Sequence, residues 1–209
     1  MNPIFRQMIM TLALIAAGIA PATSQQSMDH STSGHDMGDM DHSGHDMGDM
    51  DHSEAMQMDI NGMVMNANSS RLPNDCPAIS QDVEFTVRAN VSLARTGLTY
   101  GYDQHQWDVP PCSRVTVTFI NEDQVRHQWM VHGLPKYLYP TGMFHMEANG
   151  GITKVGTFIV ASDPKTLLVH CDMSHHMEQG LKGQIKVGGG TGNLPSIPGI
   201  SGQRYPDNY

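Results

Sequence analysis

RVTVTFINEDQVRHQWMVHG, residues 114–133, opens with the clearest strand signal in the chain. Val115, Val117 and Phe119 alternate with Thr116 and Thr118, the period-2 pattern of a half-buried β-strand. VEFTVRA at 83–89 alternates in the same way. Further strand candidates lie at 127–132, 152–160, 165–171 and 183–188, separated by clusters of Gly, Pro, Asn and Asp. No segment carries the apolar repeat of a long amphipathic helix. Short strands at this spacing predict an all-β fold, an antiparallel β-sandwich of Greek-key type with its loops gathered at the ends.

Around this domain the chain divides into four parts. Residues 1–24 read as a signal peptide: Arg6, an apolar run from Ile9 to Ala20, then the small residues Ala22, Thr23 and Ser24, with cleavage near Gln25. The apolar run is too short for a membrane span and no later segment approaches that length. The mature chain is therefore expected to be soluble, without a membrane span, and periplasmic in a bacterial cell. An uncleaved N-terminal anchor is the alternative. Residues 25–70 read as a disordered tail, 71–188 as one folded domain, and the Gly- and Pro-rich stretch 189–209 as a loosely attached C-terminal tail. About 140 residues from Arg71 onward are enough for one hydrophobic core and not two.

Three cysteines in an exported chain divide into one pair and one leftover. Cys76 in NDCPA and Cys112 in VPPCSR have no ligand-like neighbours, so they are the expected disulfide. Cys171 is the odd thiol. A free thiol in an oxidising compartment invites oxidation unless something occupies it, and a metal bond does so.

Within the tail, residues 34–43 and 44–53 are the same ten residues twice, GHDMGDMDHS, after a partial copy in MDHSTS. A repeat without apolar periodicity cannot bury a core, so disorder is expected. Residues 28–54 hold eight acidic residues and no Lys or Arg, which accounts for nearly all of the formal net charge of -9. No basic patch is present, which argues against nucleic-acid binding. His30, His35, His42, His45 and His52 interleave with Met28, Met37, Met40, Met47 and Met50. Thioether sulfur prefers cuprous ion, imidazole accepts either copper state, and the Asp carboxylates attract any cation. The tail is therefore read as a copper-capture segment. The bland alternative is an acidic solubilising tail, and zinc or nickel binding by His and Asp is a further one.

The segment HCDMSHHMEQGL, residues 170–181, sets Cys171 five residues before His176, with His127 upstream in VRHQWMVHG. One thiolate and two imidazoles from separate strands make the trigonal donor set of a mononuclear type 1 (blue) copper centre, because thiolate softness selects copper and protein geometry then holds it. The alternative is a buried structural thiol.

These residues carry a resemblance. Residues 80 to 188 resemble a cupredoxin, and an exported His/Met-rich N-terminus ahead of one such domain is similar to the CopI family of periplasmic copper-tolerance proteins. The resemblance implies a cupredoxin-like fold in which the first copper His follows a strand ending in Asn, as in FINEDQVRHQW, which assigns His127. It implies that the other ligands lie on the loop after the penultimate strand, which assigns Cys171 and His176, with His175 the weaker candidate. The axial position departs from the pattern of small electron carriers, which place Met nine or ten residues after Cys where this chain has Gly180 and Leu181. Leu at the latter position resembles some multicopper oxidases with an essentially three-coordinate centre. Loss of a sulfur ligand would raise the potential and favour the cuprous state. Met177 or Met173 is the alternative axial donor.

Strand alternation adds a second expectation. If 127–132 is extended, His127 and His132 face opposite ways, Met130 shares the face of His132, and His170 faces away from Cys171. Met130, His132, His170 and Asp172 are thus candidates for an additional copper site on the opposite face, or His132 and His170 are hydrogen-bonded sheet residues. Multicopper oxidases are similar in carrying cluster histidines at such positions, but Met130 and Asp172 stand here instead, and a second cupredoxin domain is lacking. Four-electron oxygen reduction is not expected. The segment PTGMFHMEANGG offers Met143, His145 and Met146 as a soft cluster for cuprous ion, or as a surface loop with Met packed inward. His105 has no partner visible in sequence.

Three functions follow. The leading one is a periplasmic copper-tolerance protein that captures copper ions and holds or redox-buffers them, exchanging with a periplasmic redox or copper-transfer protein. The others are an electron-transfer cupredoxin for a respiratory partner and an enzyme that oxidises cuprous ion.

Overall fold

A computed structural model describes residues 56–202, so the segment read as a signal peptide, the duplicated repeat with His35, His42, His45 and His52, and the last seven residues lie outside the described residues. Eleven strands run in chain order: β1 Met56–Asp59, β2 Gly62–Met65, β3 Asp82–Asn90, β4 Gly101–Tyr102, β5 Gln106–Val109, β6 Arg114–Asn121, β7 His127–His132, β8 Met143–Ala148, β9 Thr153–Ile159, β10 Lys165–His170 and β11 Lys182–Val187. They form a seven-stranded sheet in the order β1-β2-β8-β7-β10-β11-β5 and a four-stranded sheet in the order β4-β3-β6-β9. Helical structure among the described residues is limited to two 3-10 turns. This is the all-β sandwich that the alternating segments predict, and it is cupredoxin-like as the resemblance implies.

The alternation explains the core. In β6 every second residue is buried, so Val115, Val117 and Phe119 face inward. They meet Trp129, Val131, Phe144, Met146, Val169 and Ile185 from the larger sheet. Trp129 lies edge-on to Trp107 at 5.7 Å, and Phe144 packs on Phe158 at 4.9 Å. Cys76 and Cys112 form the expected disulfide across a separation of 36 residues. Loop closure of that length stabilises the fold by about 4 kcal/mol in the chain-entropy account.

Four expectations need correction. The sandwich is not purely antiparallel: β3 pairs with β6 in parallel, as does β5 with β11. The chain between β3 and β6 crosses to contribute β5 to the other sheet before returning, and such a crossover permits parallel pairing. The disordered tail expected over 25–70 ends earlier, because β1 and β2 form a hairpin that β2 attaches to β8. Val64, 4% exposed, fixes that hairpin in the core, which is worth about 2 kcal/mol of burial. Gly62 makes the approach possible, since a Cβ there would lie 2.1 Å from the Glu147 carbonyl oxygen. Asn68 then anchors the link to β3 through Thr157 O and Tyr139 Oη.

The segment around Met143, His145 and Met146 is not a surface loop but β8, paired on both sides. The C-terminal stretch is also attached over its described part. Leu194 N–H donates to Gln184 Oε1, Lys182 Nζ donates to Pro195 O, and Ile197 is fully buried.

Candidate metal centre

The Asn that ends β6 builds the approach to the site. Asn121 is fully buried; its amide donates to Val125 O and Ala148 O, and its Oδ1 accepts from Asp123 N–H. These bonds fold the short link so that β7 starts at His127 with its ring directed inward. Asp123 secures that ring. Its Oδ2 accepts from His127 Nε2 at 2.8 Å, while its Oδ1 accepts from Val91 N–H at 2.9 Å. A proton on Nε2 leaves the His127 Nδ1 lone pair free for a ligand.

The second part of the site follows β10. Cys171 is fully buried, in line with the inward residues Leu167 and Val169. Its N–H donates to Leu181 O, and Leu181 N–H donates to His176 O, so the ligand loop closes on itself. Gly180 is required in that closure: its φ is +119°, and a Cβ would lie 2.1 Å from Tyr100 O. Thr99 and Tyr100 both donate backbone N–H groups to Gln179 O, which docks the 95–100 loop on the ligand loop. Tyr100 covers the pair of imidazoles, 4.9 Å from the His127 ring and 4.6 Å from that of His176.

The geometry is compact. His127 Nδ1 and His176 Nδ1 face each other at 3.1 Å, and Cys171 Sγ lies 3.6 Å from His176 Nδ1. All three donor atoms fall within 4.8 Å of one another. Among the described residues this is the one such group of His, Cys and carboxylate donors. Burial pushes the Cys171 thiol up to about 11, against the N–H groups of Met173 and Gln128, which lower it. Without a cation the thiol therefore stays protonated at neutral pH. Burial also lowers His127 and His176, keeping both imidazoles neutral. A soft divalent or monovalent cation fits this set, because it replaces the thiol proton and takes the two facing lone pairs.

Other predicted residues fall elsewhere. His175 is exposed and left-handed, with φ +64°. Leu181 is fully buried, Met173 packs against the core, and Met177 lines a groove with Arg95, Leu98 and Ile197. Met146 is also fully buried in the core, so it does not share a face with Met143 and His145. His132, His170, Met130, Met143 and His145 lie on the outer face of the larger sheet. His105 is a packing residue whose Nδ1 meets Lys182 O at 2.7 Å. The sequence reading missed Asp123 and Tyr100. Asp123 was legible only as an acid four residues before a ligand, and nothing local marks Tyr100.

The strand order and the two packed sheets make a cupredoxin-like β-sandwich, with a buried thiol and two imidazoles gathered at one site. Among solved structures the chain is similar to auracyanin B, at 24% identity over 58% of this chain and 98% of that one, with a TM-score of 0.41. It is also similar to auracyanin A, a blue copper protein from Chloroflexus aurantiacus, at 21% identity over 51% of this chain and 98% of that one, TM-score 0.39. A third similarity is to a blue copper oxidase from Nitrosomonas europaea, at 20% identity over 56% of this chain and 41% of that one, TM-score 0.42. No family model and no curated protein matches the chain. The likeness in each case is to the fold.

Proposed function

We propose that this chain is an exported, periplasmic copper-binding protein that confers copper tolerance, holding or redox-buffering copper at a type 1 centre of His127, Cys171 and His176. The observation that carries this reading is the convergence of one buried sulfur and two facing Nδ1 atoms within 4.8 Å. Thiolate with imidazole is the donor combination that copper favours over harder cations. Bound copper would supply reversible one-electron exchange. The protein's part is to present two neutral imidazoles, exclude water with Tyr100, and hold the His127 tautomer through Asp123. Leu181, fully buried with its backbone tied to Cys171 and to His176, would adjoin the metal without supplying a sulfur donor, while Met177 lines a separate groove. The His/Met-rich repeat supplies the capture step.

The test pairs a protein measurement with a cell measurement. Copper added to the mature protein should give an intense visible charge-transfer band that Cys171→Ser abolishes. A strain lacking the protein should be copper-sensitive. Colourless copper-loaded protein, or a deletion strain of normal tolerance, would overturn the proposal.

One observation favours a second reading, electron transfer to a respiratory partner: of the three ligands only His176 reaches solvent. Respiratory loss without copper sensitivity in the deletion strain would select it.

A further inference from the structure

The outer face of the seven-stranded sheet holds a group of side chains that the first centre does not use. Along β7, His127, Trp129 and Val131 face the core, so Met130 and His132 point outward. Pairing then assembles neighbours from three other strands. β8 sets His145 across from Met130 and Met143 across from His132. β10 sets His170 across from Met130 on its other side, and β2 sets Met65 across from His145. One row across four adjacent strands therefore reads Met65, His145, Met130, His170. With neighbouring strands about 4.8 Å apart, His145 and His170 flank the Met130 thioether. The His132 ring stacks on that of His170, with centroids 4.8 Å apart and planes inclined by 20°.

The polar atoms of this group are unsatisfied. His132 Nε2, His145 Nε2 and His170 Nδ1 are each buried without a hydrogen-bond partner. His145 and His170 are more than nine-tenths buried, at 7% and 8% exposed, and Met130 is 5% exposed. Each orphaned nitrogen carries the desolvation cost of a buried polar atom without a partner. The three nitrogens share one face of the sheet, spread wider than the 4.8 Å of the first centre, so an ion bound among them has to draw the rings together. Burial holds His132 and His145 below the ordinary imidazole range, so their rings are neutral, the form that ligates metal.

Nearby carboxylates are engaged or turned to solvent. Glu147 pairs with Arg126 at 2.9 Å and accepts from Gln128 Nε2 at 2.8 Å, and Asp172 is exposed. The unspent donors are thus imidazole and thioether. That set suits a soft monovalent ion of flexible, low coordination number and not a hard cation that needs oxygen ligands.

We propose that His132, His145 and His170, with the Met130 thioether between two of them, form a second metal site that takes a cuprous ion on the face of the sheet opposite Cys171. Met65 and Met143 supply further thioethers at its edge. The site goes beyond the type 1 reading and shares no ligand with it.

Silver ion, a redox-inert soft monovalent probe, tests the proposal in the mature full-length protein. Imidazole ring resonances are followed by nitrogen-15 NMR as silver is added. The expected result is a stoichiometric response of the His132, His145 and His170 rings. Response confined to His127, His176 and the tail histidines would overturn it. A second measurement uses the double variant His145→Gln with His170→Gln, which should lose one equivalent of bound silver while keeping the Cys171-dependent band with copper. Unchanged silver stoichiometry in that variant would also overturn the site. If the variant does not fold, the wild-type titration decides. Protein that stays colourless with copper but whose three rings respond to silver would remove the type 1 reading and leave this one intact.

Discussion

At the residue scale, Asp123 is the side chain through which the fold reaches the proposed metal ligands. Its two oxygens have separate tasks, one accepting from Val91 N–H and the other from His127 Nε2. Asparagine has one acceptor oxygen and can perform only one of them. If the amide oxygen keeps Val91, the NH2 group faces His127 Nε2 and moves the ring proton to Nδ1, which closes the ligand atom. Asp123→Asn is therefore expected to weaken copper binding about tenfold or more, the scale of a lost outer partner of a ligating histidine. A competition titration against a chelator checks this, and unchanged affinity would show that packing alone orients the ring. The contrast with Cys171 is instructive. Its role follows from being the unpaired thiol beside histidines, whereas Asp123 becomes meaningful only once its loop is folded back by Asn121.

At the scale of elements, the centre is a junction of two loops clamped by backbone hydrogen bonds. The 95–100 loop meets the 171–181 loop through Thr99 and Tyr100 N–H groups on Gln179 O. Gly180 permits this contact by combining a positive φ with an absent side chain. Gly180→Ala is expected to cost about 3 kcal/mol of stability and to displace Tyr100 from the two imidazoles. Chemical denaturation measures the first effect, and a changed visible spectrum of the copper protein reports the second. A wild-type midpoint with an unaltered spectrum would mean that the loops are not coupled. The hairpin of β1 and β2 carries a related lesson. Met63, Val64 and Met65 fall within the stretch 25–70 that the sequence reads as a disordered tail. Their pairing partner, β8, lies some eighty residues away.

At the scale of the whole molecule, burial of many imidazoles makes stability depend on pH. Desolvation is the leading cause that lowers His105, His127, His132, His145 and His176 below their ordinary value of 6.5. In metal-free protein the unfolded chain thus binds protons more readily than the folded one below that value. The sign follows: stability is fully present above 6.5 and falls as pH drops from there through the lower folded-state values. The urea midpoint of metal-free protein should be lower at about pH 5.5 than at about pH 7.5. An unchanged midpoint would mean that the rings are not desolvated as the burial implies. Copper binding should oppose the loss, since ligation holds imidazoles in the neutral form.

The sequence by itself determined the strands with strict alternation, the odd cysteine, the disulfide partners and the chemical character of the donors, because these depend on local period and residue type. His127, Cys171 and His176 were legible for that reason. Tertiary structure decided the parallel pairings, the two hairpin strands before residue 70, the placement of His145 beside Met130 and His170, and the hold of Asp123 on His127. Each of these is a relation between segments far apart in the chain, fixed by which sheet edge is free and which side chain can be buried there, and no local pattern encodes such a relation.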